Sequence, residues 1–578
     1  MSRRDGGRHI MSFLHPKSIK VILRRFKYLT GGKARSATIP GHPESVDPPE
    51  ICPPASHIGR LPDELLIMVL DCVHAAYFRE RYVSSFYEWL SILRVCRRWR
   101  NITLSVSRLW RVVPISSDLT PLQWCLALHG DTPLEIRMHN PWLSSVSLDL
   151  FGSHISSIRV LALHVAHMDI RYSPFDAILS ISMPGLEELK IFPDFLLDDR
   201  LPPRSVVNME QYPRLRRLDL RGIIVPPNIS TLCEIELDRC SWLFSFHDFI
   251  QTLGSCSQLV ELHLKQSLRS LASTAPREIP ANPRRATLPS LRKLNIADNS
   301  ACIIAGVMGH LDIPAIASLR ILCCRLRPAR DEEAQFSESE HLFRTLIPGD
   351  PSRILPTFPT DACPVSASLT FMEDLCIVRV ESTALPTPIS VNLQARFDLD
   401  WTRVVPAALQ DISHLFSKTP VTELVVQGSS YHILPSVWEE LFTSLPLLQR
   451  LELTGNGTWT AMWQGLHRAS AWSAQSCCPQ LTRVHIRHTS RPQDNYPAPP
   501  DERDLEIIAS ALRERAEAGA KLDELLWAVY SLHHPNYYAS RGRFMARLAP
   551  YVERVTYEDL EQGVQNRSYV YPQITIFH

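Results

Sequence analysis

One short pattern recurs along most of this chain and limits what it can fold into: an apolar residue, two others, an apolar residue, one other, and a third apolar residue. Copies stand at Ile158-Leu161-Leu163, Leu186-Leu189-Ile191, Leu215-Leu218-Leu220, Leu232-Ile235-Leu237, Leu259-Leu262-Leu264, Leu291-Leu294-Ile296 and Leu319-Leu322-Cys324. A second group comprises Met372-Leu375-Ile377, Val421-Leu424-Val426, Leu448-Leu451-Leu453, Leu481-Val484-Ile486, Leu522-Leu525-Trp527 and Val552-Val555-Tyr557. Successive first positions from 158 to 319 differ by 28, 29, 17, 27, 32 and 28. Alternate residues of a strand face one side, so the second and third apolar positions point inward together, and the first closes the layer where the strand begins. No copy buries that face alone, so the copies must stack into a shared parallel sheet. Segments such as Phe244-His247-Ile250-Leu253, Val437-Leu441-Leu445 and Leu505-Ile508-Leu512 carry the helical period and are predicted to be the return helices.

Three copies extend to a residue whose side chain can bond the turning backbone, at Asn456, Asn299 and Cys240. With that extension, and with most spacings in the range of that repeat, the region from about 130 to 570 resembles a degenerate leucine-rich repeat. Most copies lack the Asn or Cys, so the resemblance implies an irregular solenoid with one curved parallel sheet. Gaps of 53 (319 to 372) and 49 (372 to 421) mark insertions or missed copies. Pro-rich and polar stretches near 267–287, 325–367 and 490–503 read as loop insertions, the middle one carrying the acidic runs Asp331-Glu332-Glu333 and Glu338-Ser339-Glu340. The alternative is an ordinary α/β domain whose strands happen to begin with Leu.

Residues 58–113 differ in kind. Leu61-Pro62 opens a helix, because Pro fits the first turn, and Asp63 and Glu64 follow where the helix dipole favours negative charge. Leu65, Val69 and Val73 recur at four-residue steps beside Leu66 and Leu70. A second helix is predicted around Trp89, Ile92, Cys96 and Trp99, with Arg94, Arg97, Arg98 and Arg100 at the intervening positions. Leu109-Trp110 closes the segment before Pro114. A unit this short with so many large apolar residues cannot cover them all itself.

In order and type, Leu61-Pro62 with Glu64-Leu65-Leu66, then Val95-Cys96-Arg97-Arg98-Trp99-Arg100, then Leu109-Trp110, this stretch resembles an F-box. It departs from the shortest family members in the longer link from Tyr77 to Phe86. The resemblance implies docking on the linker subunit of a cullin-RING ubiquitin ligase, with partner-binding residues among Leu61, Pro62, Leu65, Leu66, Val69, Leu93, Val95, Cys96, Trp99, Leu109 and Trp110. Spacing does not say which of these face the partner and which fill the interior. The expected fold class is therefore α/β: a small N-terminal helical F-box-like unit at 58–113, then a leucine-rich-repeat-like solenoid over 114–578. The expected role is a non-catalytic substrate-recognition adaptor presenting an unknown target protein. The alternative is a repeat scaffold outside any ligase, with the helical unit as its end cap; a cap would be covered at Leu61, Pro62 and Leu65, whereas a docking unit leaves them bare.

Composition narrows the remaining classes. Net charge is +1, from 61 basic and 60 acidic residues, so no global field recruits nucleic acid or membrane. The first 35 residues nevertheless carry ten Lys or Arg and one Asp, and Ile19, Ile22, Phe26 and Leu29 share a helical face. They read as a disordered basic arm or nuclear address, or as a weak membrane-surface contact through residues 13–29. Residues 36–57, with six prolines, read as a linker. Fourteen Cys without a CxxC pair fit a reduced, cytoplasmic or nuclear protein, and no run is long enough to span a membrane. No phosphate-binding Gly loop, GxSxG elbow or HExxH is present, and the pairs His164/His167 and His533/His534 lack companion ligands, so no catalytic residue, metal or cofactor is expected.

Overall fold

The computed structural model describes residues 61–80, 89–115, 119–139, 152–165, 178–193, 207–225, 228–272, 274–275, 284–323, 342–347, 350–358, 364–372, 375–382, 388–396, 401–428, 433–455, 459–471, 477–488, 500–529 and 537–559. They divide into two compact units: the described residues up to 193 with Glu210–Arg214, and residues 207–209 with those from Leu215 onward.

The first unit begins with helix α1, Asp63–Glu80, carrying Asp63 and Glu64 in its first turn. Leu66, Leu70, His74 and Phe78 are buried at four-residue steps, so this face is the inner one. A 3₁₀ turn at Leu90–Arg94 leads to α2, Arg97–Ser105, whose N-cap is Cys96 in extended backbone. A further 3₁₀ turn, Ser107–Trp110, precedes strand β1, Val112–Ile115, helix α3, Thr120–Leu128, and strands β2, Leu134–His139, β3, Ile158–Val165, and β4, Glu188–Pro193. The four strands are parallel neighbours in chain order. Their register stacks Val113, Ile136, Leu161 and Leu189 in one row and Ile115, Met138, Leu163 and Ile191 in the next.

The second unit is built on strands β5, Arg217–Arg221, β6, Glu234–Asp238, β7, Glu261–Lys265, β8, Lys293–Asp298, and β9, Ser318–Cys323. It continues through β10, Val365–Met372, β11, Leu375–Ser382, β12, Ile389–Arg396, β13, Val421–Gln427, β14, Arg450–Gly455, β15, Arg483–His488, β16, Leu522–Val529, and β17, Val552–Asp559. Leu218, Ile235, Leu262, Leu294, Leu319 and Val391 form one buried row across this sheet, and Leu424, Leu451, Val484 and Leu525 another. Apart from Leu319 and Val391, these are the second positions of the sequence pattern, placed side by side by parallel pairing.

Two copies deviate. Leu319 and Ile321 face inward and Leu322 outward, so this unit begins at Ile316 and not at Leu319. The segment Ile-Ala-Ser-Leu-Arg-Ile-Leu-Cys is apolar in both phases, and a register slip reverses every side chain. Met372-Leu375-Ile377 is no repeat copy, since it straddles the link between β10 and β11. That strand is antiparallel to both neighbours. The chain runs from β9 past two strand positions to β10 and returns through β11 to β12, which pairs with β9, while β10 pairs with β13. A reversed three-strand excursion thus accounts for the long gaps, with every other strand parallel.

Helices α4, Phe246–Ser255, α5, Ala301–Gly309, α6, Trp401–Leu415, α7, Pro435–Ser444, α8, Thr460–Ala471, α9, Glu502–Glu517, and α10, Tyr537–Leu548, connect the strands, and α6 to α10 pack against one another in chain order. The buried stripe of α4 is Phe246, Phe249, Ile250 and Leu253, not the expected line through Phe244 and His247. A capping box of Ser245 and Asp248 starts the helix later than apolar period alone indicates. Helices α7 and α8 approach so closely that a Cβ on Gly465 would lie 2.4 Å from Trp438 Cβ and 2.7 Å from the Pro435 carbonyl. Gly465→Ala is expected to cost about 1–3 kcal/mol by overpacking, read as a lower urea midpoint; an unchanged midpoint would mean the helices separate freely.

At the ends of successive strands, side chains hold the turning backbone. Cys240 Sγ donates to the Leu220 carbonyl at 3.2 Å, and Ser267 Oγ donates to the Leu237 carbonyl at 3.0 Å. One layer on, the buried Asp298 carboxylate, not Asn299, takes this role, accepting the Leu268 N–H at 3.1 Å and the Asn299 N–H at 2.7 Å. Burial raises the Asp298 pKa against these hydrogen bonds. Asn456, the basic arm, the acidic runs at 331–340 and His167, His533 and His534 lie outside the described residues.

Candidate partner-docking face

The helical segment at the start of the first unit is held together by three arginines and a tryptophan. Arg98 at the start of α2 donates through Nε to Asp63 Oδ1 at 2.9 Å and through Nη2 to the Leu61 carbonyl, which brings the start of α2 against the start of α1. Further along, Arg108 grips both carboxylate oxygens of Asp71, with Nε at 3.1 and 2.8 Å. Arg100 Nε closes on the Leu93 carbonyl at 2.9 Å. These groups are largely exposed, so each pair adds little stability, but the bidentate forks fix orientation. The interior anchor is Trp110, fully buried, whose Nε1–H donates to the Thr103 carbonyl at 2.8 Å.

With α1 and α2 so held, the expected docking residues separate into two sets. Leu66, Trp99, Leu109 and Trp110 are buried with Leu70, Trp89, Ile92 and Ile102 and form the interior. Pro62 and Cys96 are exposed, Leu65 is 46% and Val95 39% exposed, and Leu61, Val69 and Leu93 are half-buried. One further residue joins the outer set: Met68, 40% exposed, stands three positions after Leu65. Its spacing from Leu65 and Val69 was the available signal, obscured because every neighbouring position on α1 is apolar as well. The helix thus has two apolar faces, and Leu65, Met68 and Val69 form the outer one. Cys96 caps α2, its Sγ accepting the Trp99 N–H at 3.5 Å, which sets Val95 and Cys96 at the helix start that Arg98 ties to Leu61 and Asp63.

Residues 58–114 match the F-box-like family. The match ends at Pro114, inside β1, and covers the whole helical segment. No curated protein matches the chain. The F-box-like segment therefore carries an outer stripe of Leu65, Met68 and Val69 with Pro62, Val95 and Cys96 beside it, over an interior of Leu66, Trp99, Leu109 and Trp110.

Among the described residues, no group of three or more His, Cys, Asp or Glu is placed to hold a metal ion, and no helix is long and apolar enough to cross a membrane. The His164 ring lies 4.9 Å from that of Phe192 in β4, tilted by 35°. Cys323 is buried at the end of β9 as a small apolar residue.

Proposed function

We propose that this chain is a substrate-recognition adaptor of a cullin-type ubiquitin ligase: the F-box-like segment docks on the ligase linker subunit and the second unit presents a target protein. The exposed stripe on α1 carries this reading. Exposing Leu65 and Met68 on a helix whose opposite face is fully buried costs solvation free energy unless a partner covers them. An end cap for the repeats would be covered at Leu61, Pro62 and Leu65; Pro62 and Leu65 are exposed and Leu61 is half-buried, which favours the docking reading. Read as leucine-rich-repeat-like, the array supplies a broad sheet face on which a target can lie. The adaptor performs no covalent step; its contribution is effective concentration, since holding a target beside a ubiquitin-charged enzyme makes transfer behave as an intramolecular event.

The test uses the full-length chain and the purified linker subunit. Leu65→Asp with Met68→Asp is expected to weaken co-purification about 100-fold, the scale of one or two interface hot spots, with the melting temperature unchanged because both side chains are exposed. Leu243→Asp, at an exposed Leu of the second unit, is the control and should leave binding intact. Undiminished binding by the folded double variant would overturn the reading.

A further inference from the structure

Two cysteines adjacent in the chain, Cys477 and Cys478, meet in the turn that feeds β15. In a strand, successive side chains point to opposite faces, which keeps neighbouring thiols apart. Here a left-handed φ of 46° at Cys478 turns the backbone, and the two side chains share a hydrogen bond. Their surroundings differ. Cys478 is buried, and its Sγ donates to the Phe442 carbonyl at 3.1 Å and to the Leu445 carbonyl at 3.3 Å, which ties the turn to the end of α7. Cys477 is half-buried, and its carbonyl accepts Arg515 Nη1 at 2.6 Å. The hydrogen bond from Cys478 lowers the Cys477 pKa, burial opposes this, and the Arg515 positive charge lowers it further. The same hydrogen bond, and then burial, raise the Cys478 pKa. Cys477 is thus the readier nucleophile, with a second sulfur directly beside it to resolve an oxidised product, the arrangement of an oxidant-sensitive pair.

We propose that Cys477 and Cys478 are a modification site for peroxide oxidants, at which the two residues close into a disulfide. The Cys477 thiolate sulfur attacks hydrogen peroxide; the O–O bond breaks, an S–O bond forms, and the departing hydroxide takes up the proton that the thiol released, leaving as water. The Cys478 sulfur then attacks Cys477, the S–O bond breaks as the S–S bond forms, and the Cys478 proton leaves with the hydroxyl as a second water. The two thiols together lose two electrons, and peroxide is reduced to water. With its S–H gone, Cys478 no longer donates to Phe442 and Leu445, so oxidation releases the turn from the end of α7. The site stands apart from ligase docking, since both residues follow the F-box-like segment at 58–114 in a different unit.

The full-length protein is treated with hydrogen peroxide at neutral pH, its remaining thiols are alkylated, and its tryptic peptides are weighed by mass spectrometry. Cleavage after Arg468 and Arg483 yields a peptide whose only cysteines are Cys477 and Cys478, so a loss of two hydrogens from it reports this disulfide alone. That loss is expected before the peptides of the exposed Cys96 and Cys302 gain oxygen, and dithiothreitol should reverse it. The melting temperature should fall on oxidation and recover on reduction. Cys477→Ser, which leaves Cys478 in place, should keep its melting temperature through the same treatment. A peptide still alkylated at both sulfurs once Cys96 and Cys302 are oxidised would overturn the site. So would oxygen added at Cys477 without ring closure, or an equal fall in the melting temperature of the serine variant.

Discussion

Lowering the pH from 7 to 4 should destabilise the first unit by about 3 kcal/mol through His74 alone. His74 lies on the inner face of α1, 4.5 Å from the Phe78 ring and 5.0 Å from Trp89, and its Nε2 has no hydrogen-bond partner among the described residues. Burial first, then the positive charges of Arg111 and Arg137, lower its pKa to about 3. In the unfolded chain it returns to about 6.5, so the unfolded state binds the proton first. The stability contributed by neutral His74 is complete above about pH 6.5 and is lost progressively as pH falls toward 3. His488 in the second unit behaves alike, lowered to about 4 by burial and 5.3 Å from the Trp527 ring. Urea midpoints measured from pH 7 to 4 should fall steeply for the native chain, and His74→Leu should flatten part of that fall. An identical slope in the variant would place the acid sensitivity elsewhere.

Replacing Arg515 by Met should cost about 3–5 kcal/mol, the range for removing one partner from a buried charged hydrogen-bond set. The residue lies on α9 and is almost wholly buried, yet its guanidinium donates to the carbonyls of Cys477 at 2.6 Å, Cys478 at 3.1 Å and Leu481 at 3.3 Å. These carbonyls belong to the turn that feeds β15, where Cys478 adopts a left-handed φ of 46°. The Cys478 thiol adds bonds to the Phe442 and Leu445 carbonyls at 3.1 and 3.3 Å. Losing the guanidinium takes a donor from the Cys477 and Leu481 carbonyls, leaves the Cys478 carbonyl with the Leu481 N–H at 2.9 Å, and removes the brace of a strained turn. Arg515→Lys should recover only part of the loss, because an ammonium cannot span three carbonyls as a planar fork does. Denaturation by urea measures both; equal stability of the Met variant and the native chain would show that water replaces the guanidinium.

How far the sequence could be read depended on whether neighbouring positions were chemically distinct. The rows through Leu218, Ile235 and Leu262 were legible because polar residues separate the apolar ones, so strand period and inward face coincide. At Ile316 to Cys323 both phases are apolar, and only pairing to β8 selects Leu319 and Ile321 as inner. Return helices at α7 and α9 were visible from their period, whereas the start of α4 was decided by a cap that hydrophobic spacing does not see. Arg515 left no trace in the sequence, since an arginine late in an amphipathic helix ordinarily faces water.

By itself the sequence determined that repeated apolar triplets would become parallel strands of a buried sheet, and that a helical segment with F-box-like residues precedes them, because periodicity and residue type act over a few neighbours. Only the tertiary structure decided that Leu66 goes inside while Leu65 stays out, and that β10 to β12 enter the sheet in reversed order. Each of those outcomes depends on which distant segment packs alongside, and contacts between residues far apart in the chain are set by the shared core.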